Sequence, residues 1–266
     1  MSAKPTIGFV GVGSMGWPMA ALLHKAGYPL QIIDASADRA KAFAKEIGGT
    51  VAASNRALAA ASDIIITILP TSAIVQAVLE GPEGVLAGLR KDAVVVEMSS
   101  GVPTITRTLA EQVAVAGAHM VDAPVSGGVP RAKTGELAIM FGGSEAILER
   151  IRPVLSCMGT SITRTGDVGS AHAMKALNNL VSAGGFLIGV SAEVLGRMVE
   201  LPAEWRLFLV TGFLGGFTTF STFSAETVGL LERGMHGAAL VLVLAHVVGS
   251  VVATVAGMAC VRALAG

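Results

Sequence analysis

Six residues near the amino end, GVGSMG from Gly11 to Gly16, place glycine at the first, third and sixth positions. Glycine there lets a strand turn sharply, lets backbone approach a pyrophosphate, and lets the next helix pack closely on the strand. That helix would aim free N–H groups and the positive end of its dipole at the phosphates. Val12, Ser14 and Met15 complete the turn as backbone contacts. The pattern alone fits a plain glycine-rich turn equally well, and Asp34 decides between them, eighteen residues beyond Gly16 at the end of the next strand-like stretch. A carboxylate at that place accepts hydrogen bonds from the adenosine ribose and repels a 2′-phosphate, which favours NAD over NADP. The competing reading of Asp34 is a helix N-cap or turn residue. Further along, Ser126, Gly127 and Gly128 offer a hydroxyl and successive backbone N–H groups that suit a carboxylate, or simply a turn.

The elements that must hold these residues follow from hydrophobic spacing. TIGFV (Thr6 to Val10) is a short apolar run ending at glycine, as a buried parallel strand requires, and a helix follows from about Met15 to Lys25. Further strands are expected at Leu30 to Ile33, Ile64 to Leu69, Ala93 to Glu97, His119 to Val121 and Leu137 to Phe141, with helices at Ala37 to Ile47 and Glu145 to Leu155. Strands alternating with helices predict βαβ units, hence an α/β Rossmann fold with a doubly wound parallel sheet.

Composition then changes along the chain. Lys+Arg and Asp+Glu are 19 each over 266 residues, but only Glu226, Glu232, Arg233 and Arg262 lie beyond Arg206. The apolar tail raises the mean hydropathy to +0.68. Ala176 to Ala192, Leu207 to Ala225 and Gly237 to Val261 carry no charge. A helix crosses a bilayer core with about 20 apolar residues, so the last two stretches predict an α-helical transmembrane segment, with helices at about 207–228 and 237–261. Buried helices of a soluble bundle are the other reading, but those normally carry a polar stripe. Zero net charge without a basic run speaks against nucleic acid as a partner. Cys157 and Cys260 lack metal or disulfide spacing, and His24 and His172 read as surface or packing residues. MSAKPTIGFV lacks the apolar core of a secretory signal, so the first domain is expected in the cytoplasm.

Several segments carry a family resemblance. GFVGVGSMGWPMA (Gly8 to Ala20) resembles the opening signature of the 3-hydroxyisobutyrate dehydrogenase (β-hydroxyacid dehydrogenase) family. ILP (Ile68 to Pro70), MSSGVP (Met98 to Pro103), DAPVSGG (Asp122 to Gly128) and KALNN (Lys175 to Asn179) resemble its later motifs in the same order. The resemblance implies an oxidoreductase that transfers hydride from a short hydroxy acid to NAD. It assigns Leu69, Pro70 and Ser100 to the cofactor, Ser126, Gly127, Gly128 and Asn179 to the substrate, and Lys175 to general-base catalysis. A lysine works as a base near neutral pH only if burial or a neighbouring cation lowers its pKa; without the motif set, Lys175 also fits a solvated helix position.

In that family the KALNN helix continues into an all-α domain that closes the site and helps form a homodimer. Here the chain instead reads TGFLGGFTTFSTFSAE (Thr211 to Glu226), which resembles the Fluc (CrcB) fluoride channel family, with similarity from about Gly184 to Gly266. Gly215-Gly216 beside Thr218 invites a helix break whose freed carbonyls need a partner. The resemblance implies structural Na⁺ at Gly215 and Thr218, and Phe220 and Phe223, whose ring edges share a face, as an anion path for fluoride. Val181 stands where that family places a pore asparagine. The expected organisation is an NAD-binding domain over 1–165, the start of the catalytic helix over 166–183, and a lipid-embedded CrcB-like region over 184–266. The chain would then sit at the inner or plasma membrane. A fluoride channel with a dinucleotide-binding appendage and an inactive fusion product are the alternative readings.

Overall fold

The structure, a computed structural model, describes residues 4–179, 227, 230, 231 and 233–244. Strands β1 (Ile7–Val10), β2 (Leu30–Ile33), β3 (Thr50–Val51), β4 (Ile64–Thr67), β5 (Val94–Glu97) and β6 (His119–Asp122) pair in parallel in the order β3-β2-β1-β4-β5-β6. This order reverses direction between β1 and β4, the switch point at which doubly wound sheets bind ligands. Beyond β6 the sheet continues through β7 (Val125–Ser126), β8 (Leu137–Gly142) and β9 (Gly159–Gly166). There β8 runs antiparallel to β6 and β7, and β9 parallel to β8.

Strands β1, β4 and β5 are buried along their whole length because helices cover both faces of the sheet. Alternate side chains show the two layers directly. Ile64, Ile66, Val94 and Val96 join one apolar cluster, and Ile65 and Val95 join the other. The first cluster is closed by α1 (Gly16–Lys25), α2 (Ala37–Glu46) and α7 (Glu145–Leu155), through residues such as Leu23, Phe43 and Ile151. The second is closed by α3 (Asn55–Ala60), α4 (Ser72–Leu79) and α5 (Pro103–Val115), through Leu58, Leu79 and Leu109. A short helix α6 (Gly128–Thr134) joins β7 to β8. Residues 170–179 form a further helix, α8, after β9.

The Rossmann expectation therefore holds, with α7 and β2 at the expected residues and β1, β4 and β5 one or two residues shorter than read. Helices α3, α4, α5 and α6 and strands β3, β7 and β9 are additions. The chain divides into two compact units, Met1–Asn178 and Asn179–Gly266. Of the second unit, a helix over residues 236–244 is described, on which Ala239 is buried and Leu240 exposed. Among the described residues no helix is long and apolar enough to cross a membrane. Most of the expected span at 207–228, the span at 237–261 beyond residue 244, and Gly215, Thr218, Phe220 and Phe223 lie outside the described residues.

Candidate functional site

The glycine turn sits where β1 ends against the end of β4. Gly11 has φ +96°, a conformation suited to glycine, and a Cβ there would come within 2.5 Å of the Ile68 carbonyl oxygen. Its N–H donates to the Ile33 carbonyl at 2.9 Å, holding the turn to the end of β2. Gly16 is tighter still, since a Cβ would lie 1.9 Å from the Gly11 carbonyl oxygen; this is what draws α1 onto the strand. Gly13 differs from both. It faces open space, with nothing within 4 Å of the position a Cβ would take. No side chain caps the first turn of α1, where the Trp17 N–H donates to the Gly13 carbonyl at 2.9 Å and Pro18 has no N–H, so the donors that could meet an anion are those of the turn leading into the helix. A cradle of backbone donors with an open floor at Gly13 fits a pyrophosphate.

Asp34 closes the cradle on the β2 side. Its Oδ2 accepts the Val12 N–H at 2.8 Å, and its Oδ1 accepts the Ser36 N–H at 2.9 Å. Arg39 approaches at 3.5 Å, and the carboxylate is 6% exposed. The N-cap of α2 is Ser36, whose hydroxyl accepts the Arg39 N–H, so Asp34 is not the cap. It ties the glycine turn to the second strand, and Oδ2, with one donor against the two on Oδ1, retains acceptor capacity for a ribose hydroxyl.

On the other side, Leu69 lies against the Gly11 position, and its N–H donates to the Ser99 hydroxyl at 2.8 Å. Pro70 and Ser100 are exposed at the carboxyl edge of the sheet. Ser99, passed over in favour of Ser100 on sequence grounds, is the buried member that joins the two loops. Ser126, Gly127 and Gly128 form the junction of β7 and α6; the glycines are exposed, with φ +132° and +66°.

Lys175 is buried on α8, and burial pushes its ammonium pKa below that of an ordinary lysine. Asn179, one turn on, is exposed. The start of α8 is fixed by Asp122, whose carboxylate accepts the Gly169 N–H at 2.7 Å and the His172 N–H at 2.8 Å. Of the two readings of His172, surface or packing, the second holds: it is fully buried, with Nε2 2.7 Å from the Glu97 carboxylate, a partner that was not foreseen. The available signal was an acidic residue ending each of two apolar strands, VVVE and HMVD.

This fold and glycine turn define a nicotinamide-dinucleotide-binding domain. The family described as the NAD binding domain of 6-phosphogluconate dehydrogenase matches residues 6–166. A 2-(hydroxymethyl)glutarate dehydrogenase of Eubacterium barkeri is 38% identical, the match covering 89% of this chain and 85% of that enzyme. A mitochondrial 3-hydroxyisobutyrate dehydrogenase of Mus musculus is 39% identical over 89% of this chain and 69% of its own length. Among solved structures, a Mycobacterium tuberculosis 3-hydroxyisobutyrate dehydrogenase with L-serine has a TM-score of 0.67 at 34% identity, covering 79% of this chain and 71% of that one. The chain belongs to the NAD(P)-dependent hydroxyacid dehydrogenase family that includes 3-hydroxyisobutyrate dehydrogenase.

A second family, described as CrcB-like protein, Camphor Resistance (CrcB), matches residues 153–258. The two matches overlap at 153–166, where the structure places the end of α7 and all of β9 in the sheet. Those residues are part of the Rossmann fold, and both similarities run through them. The CrcB-like match starts earlier than the boundary near Gly184 read from sequence.

Proposed function

We propose that the first unit binds NAD at the β1–β4 switch point and oxidises a short 3-hydroxy acid, with Lys175 as general base. The observation that carries this is the open floor at Gly13 in a turn whose other two glycines, Gly11 and Gly16, have no room for a Cβ. When bound, the nicotinamide accepts the hydride. Gly13, Ser14, Met15 and Gly16 offer backbone N–H groups to the phosphates, while Gly11 and Val12, whose N–H groups are taken by the Ile33 carbonyl and Asp34, shape the cradle; Asp34 accepts the ribose hydroxyls, and Leu69, Pro70 and Ser100 flank the other side. The Asp34 carboxylate favours NAD over NADP by repelling a 2′-phosphate. Ser126, Gly127, Gly128 and Asn179 receive the substrate carboxylate and hydroxyl. Lys175, neutral in a larger fraction than an exposed lysine, takes the hydroxyl proton onto Nζ as the hydride leaves.

The test is NADH formation from 3-hydroxyisobutyrate by the full-length chain in detergent. Turnover that disappears in Lys175→Ala with NADH binding intact supports the assignment. Absence of turnover in the unaltered protein refutes it.

The CrcB-like match favours a second reading for the tail: a lipid-embedded region at the inner or plasma membrane, with the Rossmann domain in the cytoplasm. It carries Na⁺ at Gly215 and Thr218, a fluoride path at Phe220 and Phe223, and pairs with a second copy as a homodimer. Fluoride efflux from liposomes holding the full chain supports this reading, and its absence removes it.

A further inference from the structure

Behind the cofactor loops lie three buried ionisable side chains for which the proposed reaction has no use: Glu97, Asp122 and His172, exposed by 2%, 0% and 0%. They come from the ends of two neighbouring strands and from the first turn of α8. Glu97 Oε1 accepts the Ser99 N–H at 2.8 Å, and its Oε2 lies 2.7 Å from His172 Nε2. The same nitrogen is 3.1 Å from the Ser99 carbonyl oxygen. Both neighbours are acceptors, so Nε2 carries the proton.

On the other side of the ring, Nδ1 is 2.8 Å from the Thr106 hydroxyl and 3.8 Å from Asp122 Oδ2. Thr106 also reaches the Val102 carbonyl at 3.2 Å. With Nδ1 protonated, the hydroxyl accepts from the ring and donates to Val102, so every group is satisfied by a cationic imidazole. Burial opposes that charge, but the Glu97 hydrogen bond, the charges of Glu97 and Asp122, and the Ser99 carbonyl outweigh it, and the His172 pKa is raised. The backbone makes room for the assembly. A Cβ on Gly101 would lie 2.5 Å from the imidazole Cε1 and 2.9 Å from Glu97 Oε2.

The chain of contacts is continuous from the dinucleotide loops to the catalytic helix. Leu69 N–H meets Ser99, Ser99 meets Glu97, Glu97 meets His172, and His172 stands one helical turn before Lys175 on α8. We infer that Glu97 and His172 are a positioning pair that locks the Lys175 turn of α8 to the loop after β5, and so fixes the base relative to the nicotinamide. A buried pair of this kind holds one geometry, because sliding α8 would leave a carboxylate without its partner in an apolar interior. Asp122 holds the backbone of the same helix end, so the pair sets the rotation of α8 while Asp122 sets its start.

This inference rests on the role proposed for Lys175, and its test reads that amine without requiring turnover. In the full-length chain in detergent, lysines are acylated competitively with acetic anhydride across pH. Lys175 is quantified by mass spectrometry against the exposed Lys41 and Lys91. In His172→Gln and Glu97→Gln the Lys175 midpoint is expected to rise by about half a pH unit, roughly a threefold loss of neutral amine at fixed pH. The Glu97→Gln/His172→Gln double variant should go no further than either single change. It also keeps a neutral hydrogen-bonded pair in place if a single variant fails to fold. A Lys175 midpoint that stays put while the variants melt at lower temperature overturns the inference and leaves the pair a stability element only. Failure of the unaltered protein to bind NADH would instead strike the proposed function and leave the Lys175 titration to be read as before.

Discussion

Gly13 and Gly16 are both glycines of one turn, yet the structure gives them opposite duties, and alanine at each separates binding from folding. Gly13 lies outside the positive-φ region and has nothing within 4 Å of its missing Cβ. Gly13→Ala should therefore leave stability within about 0.5 kcal/mol of the parent. The new methyl fills the floor over which a pyrophosphate must lie, and a loss of tenfold to a hundredfold in NADH affinity is expected, about 1.4 to 2.8 kcal/mol. Gly16→Ala meets the Gly11 carbonyl oxygen at 1.9 Å and the Ile68 side chain at 3.0 Å. Backbone cannot yield as a side-chain tip can, so α1 must move off the sheet at a cost of about 1–3 kcal/mol. Trp17, edge-on to Phe43 at 5.1 Å between ring centres, reports that movement by fluorescence once Trp205 is replaced by Phe. Urea unfolding followed at Trp17, paired with NADH titration, gives both numbers. If Gly13→Ala binds NADH like the parent, the phosphate site is misplaced; if Gly16→Ala unfolds like the parent, the packing argument fails.

Asp34→Ala removes the acceptor for the Val12 and Ser36 N–H groups along with the proposed ribose contact, so NADH affinity should fall about tenfold, a single charge-assisted hydrogen bond's worth. The NADPH-to-NADH affinity ratio should rise, and fluorescence titrations with both cofactors decide it. Lys175→Met should lower turnover by at least about a hundredfold while NADH affinity stays within about twofold, read by stopped assay and titration. His172 has its pKa raised above the ordinary 6.5 in the folded state. The folded protein thus holds that proton more tightly than the unfolded chain. Its contribution is complete below about pH 6.5 and declines as pH rises through the folded-state value. Urea midpoints across pH should show this decline in the parent and lose it in His172→Gln.

The glycine turn, the strands beside it and the α/β order were legible because each rests on local spacing. Continuous apolar runs such as IGFV and the VVV of β5 announce strands buried on both faces, and a glycine turn between strand and helix announces what the turn is for. Helix α3 was not legible, since its six residues are too few for a helical period to stand out. Strand β9, GTSITRTG, has a largely exposed and polar face that conceals its place beside β8. The Glu97–His172 pair was hidden for a different reason. Its members lie 75 residues apart and meet only because α8 returns across the ends of β5 and β6. Ser99 and Ser100 are neighbours with opposite fates, one buried against Leu69 and one exposed, a distinction set by the direction of the chain leaving β5.

Titrating the full-length protein in detergent with NADH is the most direct measurement of the central claim, that the turn from Gly11 to Gly16 holds a nicotinamide dinucleotide. The account predicts enhanced, saturable nicotinamide fluorescence that NAD competes away and that Gly13→Ala weakens. Fluorescence that rises no further than in buffer with detergent alone would contradict it.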